Sequence, residues 1–166
     1  MIALLLGGAR SGKSAAAERL ALALPAPVTY VATGTASDED MAERIARHRA
    51  RRPASWSTEE VGAALVEALD RLPGTVLVDS LGSWVAACDL APDAGALQAA
   101  LRRRAGDTVL VGEEVGLGVH PPTALGVRFR DAVGEVNVAV AEVADDVRLV
   151  VAGRGLRLDR LDRPDP

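Results

Sequence analysis

Lysine is all but missing from this chain of 166 residues. Of its 19 basic residues only Lys13 is a lysine; the rest are arginine. Aromatic side chains are nearly as scarce, and Tyr30, Trp56, Trp84 and Phe129 complete the set. A hydrophobic content of 49% must therefore build its core from alanine, valine and leucine. One cysteine, Cys88, excludes an internal disulfide and suits a reducing compartment. Positive charge is not in surplus: the formal net charge of −4 argues against general binding to nucleic acid. No stretch approaches the roughly 18 consecutive apolar residues of a membrane span. The opening run from Met1 to Leu6 has no basic residue before it, and Glu18 and Arg19 interrupt the alanine-rich stretch that follows, so it does not read as a signal peptide. Internal repeats and low-complexity linkers are also lacking. These bounds predict a soluble cytoplasmic protein, with residues 1–153 as one domain and residues 154–166 as a loosely held tail.

What is present is a phosphate-binding pattern. Gly7, Gly8, Ala9, Arg10, Ser11, Gly12, Lys13 and Ser14 satisfy G-x-x-x-x-G-K-[ST] between an apolar run and a helical segment. Glycines let the backbone turn tightly enough for successive N–H groups to converge on phosphate oxygens. The helix that follows points the positive end of its dipole at the same anion. Lys13 would reach the β- and γ-phosphates, and the Ser14 hydroxyl would ligate Mg²⁺. A chain that uses arginine everywhere else keeps an ammonium here, where a compact point charge suits a phosphate.

Strand and helix patterns alternate along the chain. Strands are predicted at 2–6, 28–32, 75–79, 108–112 and 147–152. Helices are predicted at 14–24, from an N-cap at Ser37 to about residue 51, over 61–72, around Leu97 and Leu101, and from Leu125 to about Ala144. Short apolar strands alternating with helices specify a mostly parallel sheet covered on both faces, hence a three-layer α/β domain of P-loop type. Ligands of such sheets collect at the carboxyl ends of the strands. The loops predicted there are the phosphate loop, 33–35, 79–83 and 113–118. Asp79 ends an apolar strand, the usual place for the acid that holds Mg²⁺ through water. Glu113 and Glu114 could orient an attacking hydroxyl or touch the metal, or cap the next turn in solvent. His120, beside two prolines, reads as a loop residue.

His48 stands among five arginines between Arg44 and Arg52. These could be one solvated helix face, acidic at its start and basic at its end. Alternatively the arginines bind phosphates and lower the pKa of His48, which keeps its imidazole neutral and nucleophilic near pH 7.

Six segments in order are more specific than any one: GGARSGKS at Gly7, YVATG at Tyr30, DEDMAERIARHRARRPASW from Asp38, VLVDSLGSW from Val76, EVGLGV from Glu114 and ALGVRFRDAVGEVN from Ala124. Over residues 2–153 the chain resembles the adenosylcobinamide kinase / adenosylcobinamide-phosphate guanylyltransferase family of cobalamin biosynthesis. The resemblance implies phosphorylation of adenosylcobinamide by ATP or GTP, then transfer of GMP from GTP to adenosylcobinamide phosphate, giving adenosylcobinamide-GDP. It implies that GMP travels on His48, that Thr33, Arg49, Arg52, Glu60 and Asp79 join the phosphate loop around the nucleotide, and that the protein is a homotrimer. Three departures stand out: residues 86–106 look short, Glu113 stands where an asparagine is usual, and Ser80-Leu81-Gly82-Ser83 is smaller than the family's segment. Two other functions share the phosphate loop, a small-molecule kinase that makes no use of His48 and a non-catalytic GTP-binding regulator.

Overall fold

The computed structural model describes residues 1–34 and 52–161. The helix predicted from Ser37, with His48 and Arg49, lies outside the described residues. Twelve elements follow one another in those segments: β1 Ile2–Gly7, α1 Lys13–Leu22, β2 Val28–Ala32, β3 Ser57–Glu60, α2 Leu65–Arg71, β4 Thr75–Asp79, α3 Leu81–Ala87, α4 Ala94–Arg103, β5 Thr108–Glu113, α5 Ala124–Ala141, β6 Asp146–Val151 and β7 Arg154–Arg157. The seven strands form one sheet in the order β3-β2-β4-β5-β1-β6-β7. Every pairing is parallel except β6 with β7.

Side chains alternate between the two faces of each strand, and the core divides accordingly. On one face Leu4, Val31, Val76, Val78 and Leu110 meet α2, α3, α4 and α5 through Leu65, Trp84, Leu101 and Val136. On the other, Ala3, Leu5, Tyr30, Leu77, Val109 and Val111 meet α1 through Ala17 and Ala21. Helices on both faces make the three layers that the alternating pattern predicts. Aliphatic residues do supply most of the core. Tyr30 and Trp84 are the exceptions; Trp84 is 2% exposed, with its indole N–H donating to the Ala63 carbonyl at 3.0 Å.

Four elements depart from expectation. β3 carries only Ser, Thr and Glu, and the sheet edge accepts it because its other side faces no strand among the described residues. α3 occupies most of what reads as the 79–83 loop; Ser80 caps it, accepting from the Ser83 N–H. The helix expected from Val61 begins at Leu65, after a turn in which the Ala64 N–H donates to the Val61 carbonyl at 3.0 Å. Residues Arg154–Arg157 lie beyond the boundary drawn at Gly153, yet they pair with β6 as an antiparallel edge strand. The tail is part of the sheet at least that far.

Candidate nucleotide site

The loop after β1 is built as its sequence requires. Gly12 caps α1 in a left-handed conformation, φ +94, where a side chain would be strained. A Cβ there would also lie 3.1 Å from the Cα of Gly153, in the turn between β6 and β7. That turn backs the loop, because the Gly153 N–H donates to the Ser11 carbonyl at 2.8 Å. Lys13, 5% exposed, folds its ammonium over the loop and donates to the Gly8 carbonyl at 3.2 Å. The Ser11 hydroxyl is buried and finds no hydrogen-bond partner among the described residues.

Ser14 faces β4. Its hydroxyl donates to Asp79 Oδ1 at 3.3 Å, which unites two residues sixty-five positions apart. The other carboxylate oxygen, Oδ2, accepts from the Tyr30 hydroxyl at 3.0 Å. Burial, and then the Asp79 charge, push the Tyr30 phenol well above its ordinary range, so it stands here as a neutral donor. The Arg52 guanidinium lies over the Tyr30 ring, 3.4 Å from its centroid, and donates to the Thr58 hydroxyl at 3.1 Å.

Neighbouring strand ends complete the edge. Thr33 is fully buried; its hydroxyl donates to the Ser80 carbonyl at 2.6 Å and accepts from the Ser80 N–H at 3.1 Å. It thus locks the end of β2 to the end of β4. Glu60 is exposed at the end of β3, in register with Ala32, which is itself opposite Asp79. Glu113 turns inward: Oε2 accepts from the Gly82 N–H of α3 at 2.7 Å, and its carbonyl accepts from the Asn137 side chain at 3.0 Å. Glu114 caps its own turn, accepting from the Gly116 N–H at 2.7 Å, while its N–H donates to the Gly7 carbonyl. His120 is exposed in the loop that follows, 3.1 Å from Arg130. Lys13, Ser14, Thr33, Glu60 and Asp79 therefore share the carboxyl edge of the sheet, and Arg52 joins them through the ring of Tyr30, whose hydroxyl donates to Asp79.

Sequence reasoning gave no role to Tyr30 or to the Gly153 turn, and the roles it offered Glu113 did not include its bond to the Gly82 N–H. Tyr30 had a signal, since a hydroxyl in an otherwise apolar, two-sided strand must find a partner. Glu113 had a weaker one at its strand end. The Gly153 turn had none, because its approach to Gly12 is a product of the tertiary fold.

A glycine-rich loop between a central parallel strand and a helix, with lysine and serine opening that helix and an acid two strands away, defines a P-loop nucleotide-binding domain. A solved ATPase of a bacterial type III secretion system shares the fold: TM-score 0.55 at 12% identity, covering 89% of this chain and 50% of that one. Residues 3–158 match the cobinamide kinase / cobinamide phosphate guanyltransferase family, CobU. Relatives include the bifunctional adenosylcobalamin biosynthesis protein CobP of Pseudomonas aeruginosa, 43% identical over 90% of this chain and 92% of that protein. The bifunctional CobU proteins of Salmonella typhimurium and Escherichia coli are 38% and 36% identical, each aligned over 95% of this chain and 99% of the relative. The chain belongs to the cobinamide kinase / cobinamide phosphate guanyltransferase family.

Proposed function

We propose that this chain carries both activities of its family on the one phosphate loop. It phosphorylates the aminopropanol hydroxyl of adenosylcobinamide with ATP or GTP. It then takes GMP from GTP onto His48 and passes it to adenosylcobinamide phosphate, giving adenosylcobinamide-GDP. The observation that carries this reading is the Lys13, Ser14 and Asp79 constellation, assembled in a chain that matches the family over nearly its whole length.

Each residue has a defined task. The Lys13 ammonium exchanges the Gly8 carbonyl for phosphate oxygens and offsets charge on the departing group. The Ser14 hydroxyl and Asp79 carboxylate are hard oxygen donors 3.3 Å apart, a pair that fits Mg²⁺ with water and phosphate oxygens around it. Bound there, Mg²⁺ would supply charge neutralisation at the phosphates. Arg49, Arg52, Glu60 and the Thr33 loop would line the nucleotide. In the guanylyl step an imidazole nitrogen of His48 bonds to the α-phosphorus of GTP as the bond to pyrophosphate breaks. A phosphate oxygen of the corrinoid substrate then attacks that phosphorus and the N–P bond breaks. We place the reaction in the cytoplasm, where GTP and ATP are available, and assign the protein a homotrimeric state; no described helix is long and apolar enough to cross a membrane.

The test is incubation with Mg²⁺ and GTP labelled on the α-phosphate, followed by denaturation. Acid-labile, base-stable label on the wild-type protein and none on His48→Ala is the expected result. Lys13→Ala should label at least about a hundredfold more slowly, a loss of the size seen when one transition-state donor is removed. An unlabelled wild-type protein that still moves the γ-phosphate to adenosylcobinamide would leave a kinase alone. Light scattering should return a mass three times that of the chain.

A further inference from the structure

The reaction described above makes no use of Tyr30, whose side chain nonetheless touches two of the site's residues, Asp79 and Arg52. It lies in β2, 5% exposed, and donates to Asp79 Oδ2 at 3.0 Å while Ser14 occupies Oδ1. Its ring face carries Arg52 at 3.4 Å. Arg52 in turn closes the arginine-rich stretch that contains His48. An aspartate's second torsion is broad and two-fold, so a strand-end carboxylate does not by itself select the oxygen it presents. A buried donor on one oxygen makes that selection. Packing alone would be served by phenylalanine, since burial of a phenol is costly unless its hydroxyl is bonded.

We propose that Tyr30 is a positioning residue that sets the Asp79 carboxylate and the Arg52 guanidinium in register, its hydroxyl orienting the acid and its ring seating the arginine. The proposal rests on Asp79 as a Mg²⁺ ligand. The two roles use different parts of one side chain, so substitution separates them. Tyr30→Phe keeps the ring and loses the hydroxyl; Tyr30→Leu loses both.

The experiment titrates the full chain with a fluorescent, non-hydrolysable GTP analogue, at graded Mg²⁺ and in a chelator. Tyr30→Phe is expected to raise the Mg²⁺ concentration for half-effect about tenfold, as loss of an outer-shell partner does, and the metal-free Kd less than twofold. Tyr30→Leu should show the same metal shift and, in addition, weaken metal-free binding about fivefold, with no further loss when Arg52→Ala is added. Asp79→Asn is the control. If Asp79→Asn abolishes the Mg²⁺ effect while Tyr30→Phe retains the wild-type half-effect, the proposal is overturned and Asp79 keeps its role. A Mg²⁺ effect that survives Asp79→Asn overturns both. Should Tyr30→Leu not fold, the Tyr30→Phe titration decides alone.

Discussion

Burial and the Asp79 carboxylate hold the Tyr30 phenol neutral far into alkali, which makes this side chain one source of alkaline destabilisation. The sign follows from linkage. A folded-state pKa above the unfolded one leaves stability intact below about pH 10, the ordinary phenol value, because both states then hold the proton. Above that the unfolded chain ionises first, and stability should fall by up to about 1.4 kcal/mol per pH unit. Tyr30 is the only tyrosine in the chain. Tyrosinate absorbance on alkaline titration should therefore appear together with loss of helical circular dichroism; tyrosinate in a folded protein would contradict the burial. Trp84 contributes to stability in a different way, by burial. It is buried among α2, α3 and β4, and Trp84→Ala should cost about 3–5 kcal/mol, read as a lower urea midpoint.

Among the elements, α3 is the one that tertiary contacts hold in place. Seven residues are too few for a helix to persist alone. Its first turn is tied down from β5, where Glu113 accepts from the Gly82 N–H. A Cβ on Gly82 would overlap that same carboxylate oxygen, so a larger residue there would push the Glu113 carboxylate off the helix end. Glu113→Ala should lower stability by about 1–2 kcal/mol and slow GMP labelling, while Glu113→Gln, which keeps an acceptor, should lie close to wild type in both. The same element shows what could be read from sequence and what could not. β1, β2, β4 and β5 are short, mostly apolar runs whose pattern admits little else. α5 was legible from its spaced valines. The LGSWVAA segment has neither the length nor the stripe to announce a helix, and the STEE and RGLR segments are strands only because a sheet edge offers them a partner. Of the site, Lys13 and Ser14 were legible from local pattern and Asp79 from its place after a buried strand. The Tyr30 and Glu113 contacts join residues dozens of positions apart, and no local periodicity encodes them.

At the level of the whole molecule, the glycine-rich loop after β1 is braced by the turn between β6 and β7. Gly153 supports Ser11, and β7 holds β6 in place through its pairing and through the Leu158 N–H, which donates to the Val147 carbonyl at 2.8 Å. A chain ended after Gly153 should bind the GTP analogue more weakly and melt at a lower temperature, although it retains every residue of the loop. Full affinity in that shortened chain would show that the brace contributes nothing. Lys13 has a consequence of another kind. It carries the only ε-amine in the protein, and the one other amine, at Met1, is paired with Asp107 at 2.7 Å. Amine-directed reagents thus find a single internal address, at the start of α1 beside the glycine-rich loop. A lysine-specific protease would cut the unfolded chain once, into a short amino-terminal peptide ending in the phosphate loop and one long remainder. Occupancy of the site could then be counted by mass spectrometry as protection of one amine, with no engineered label.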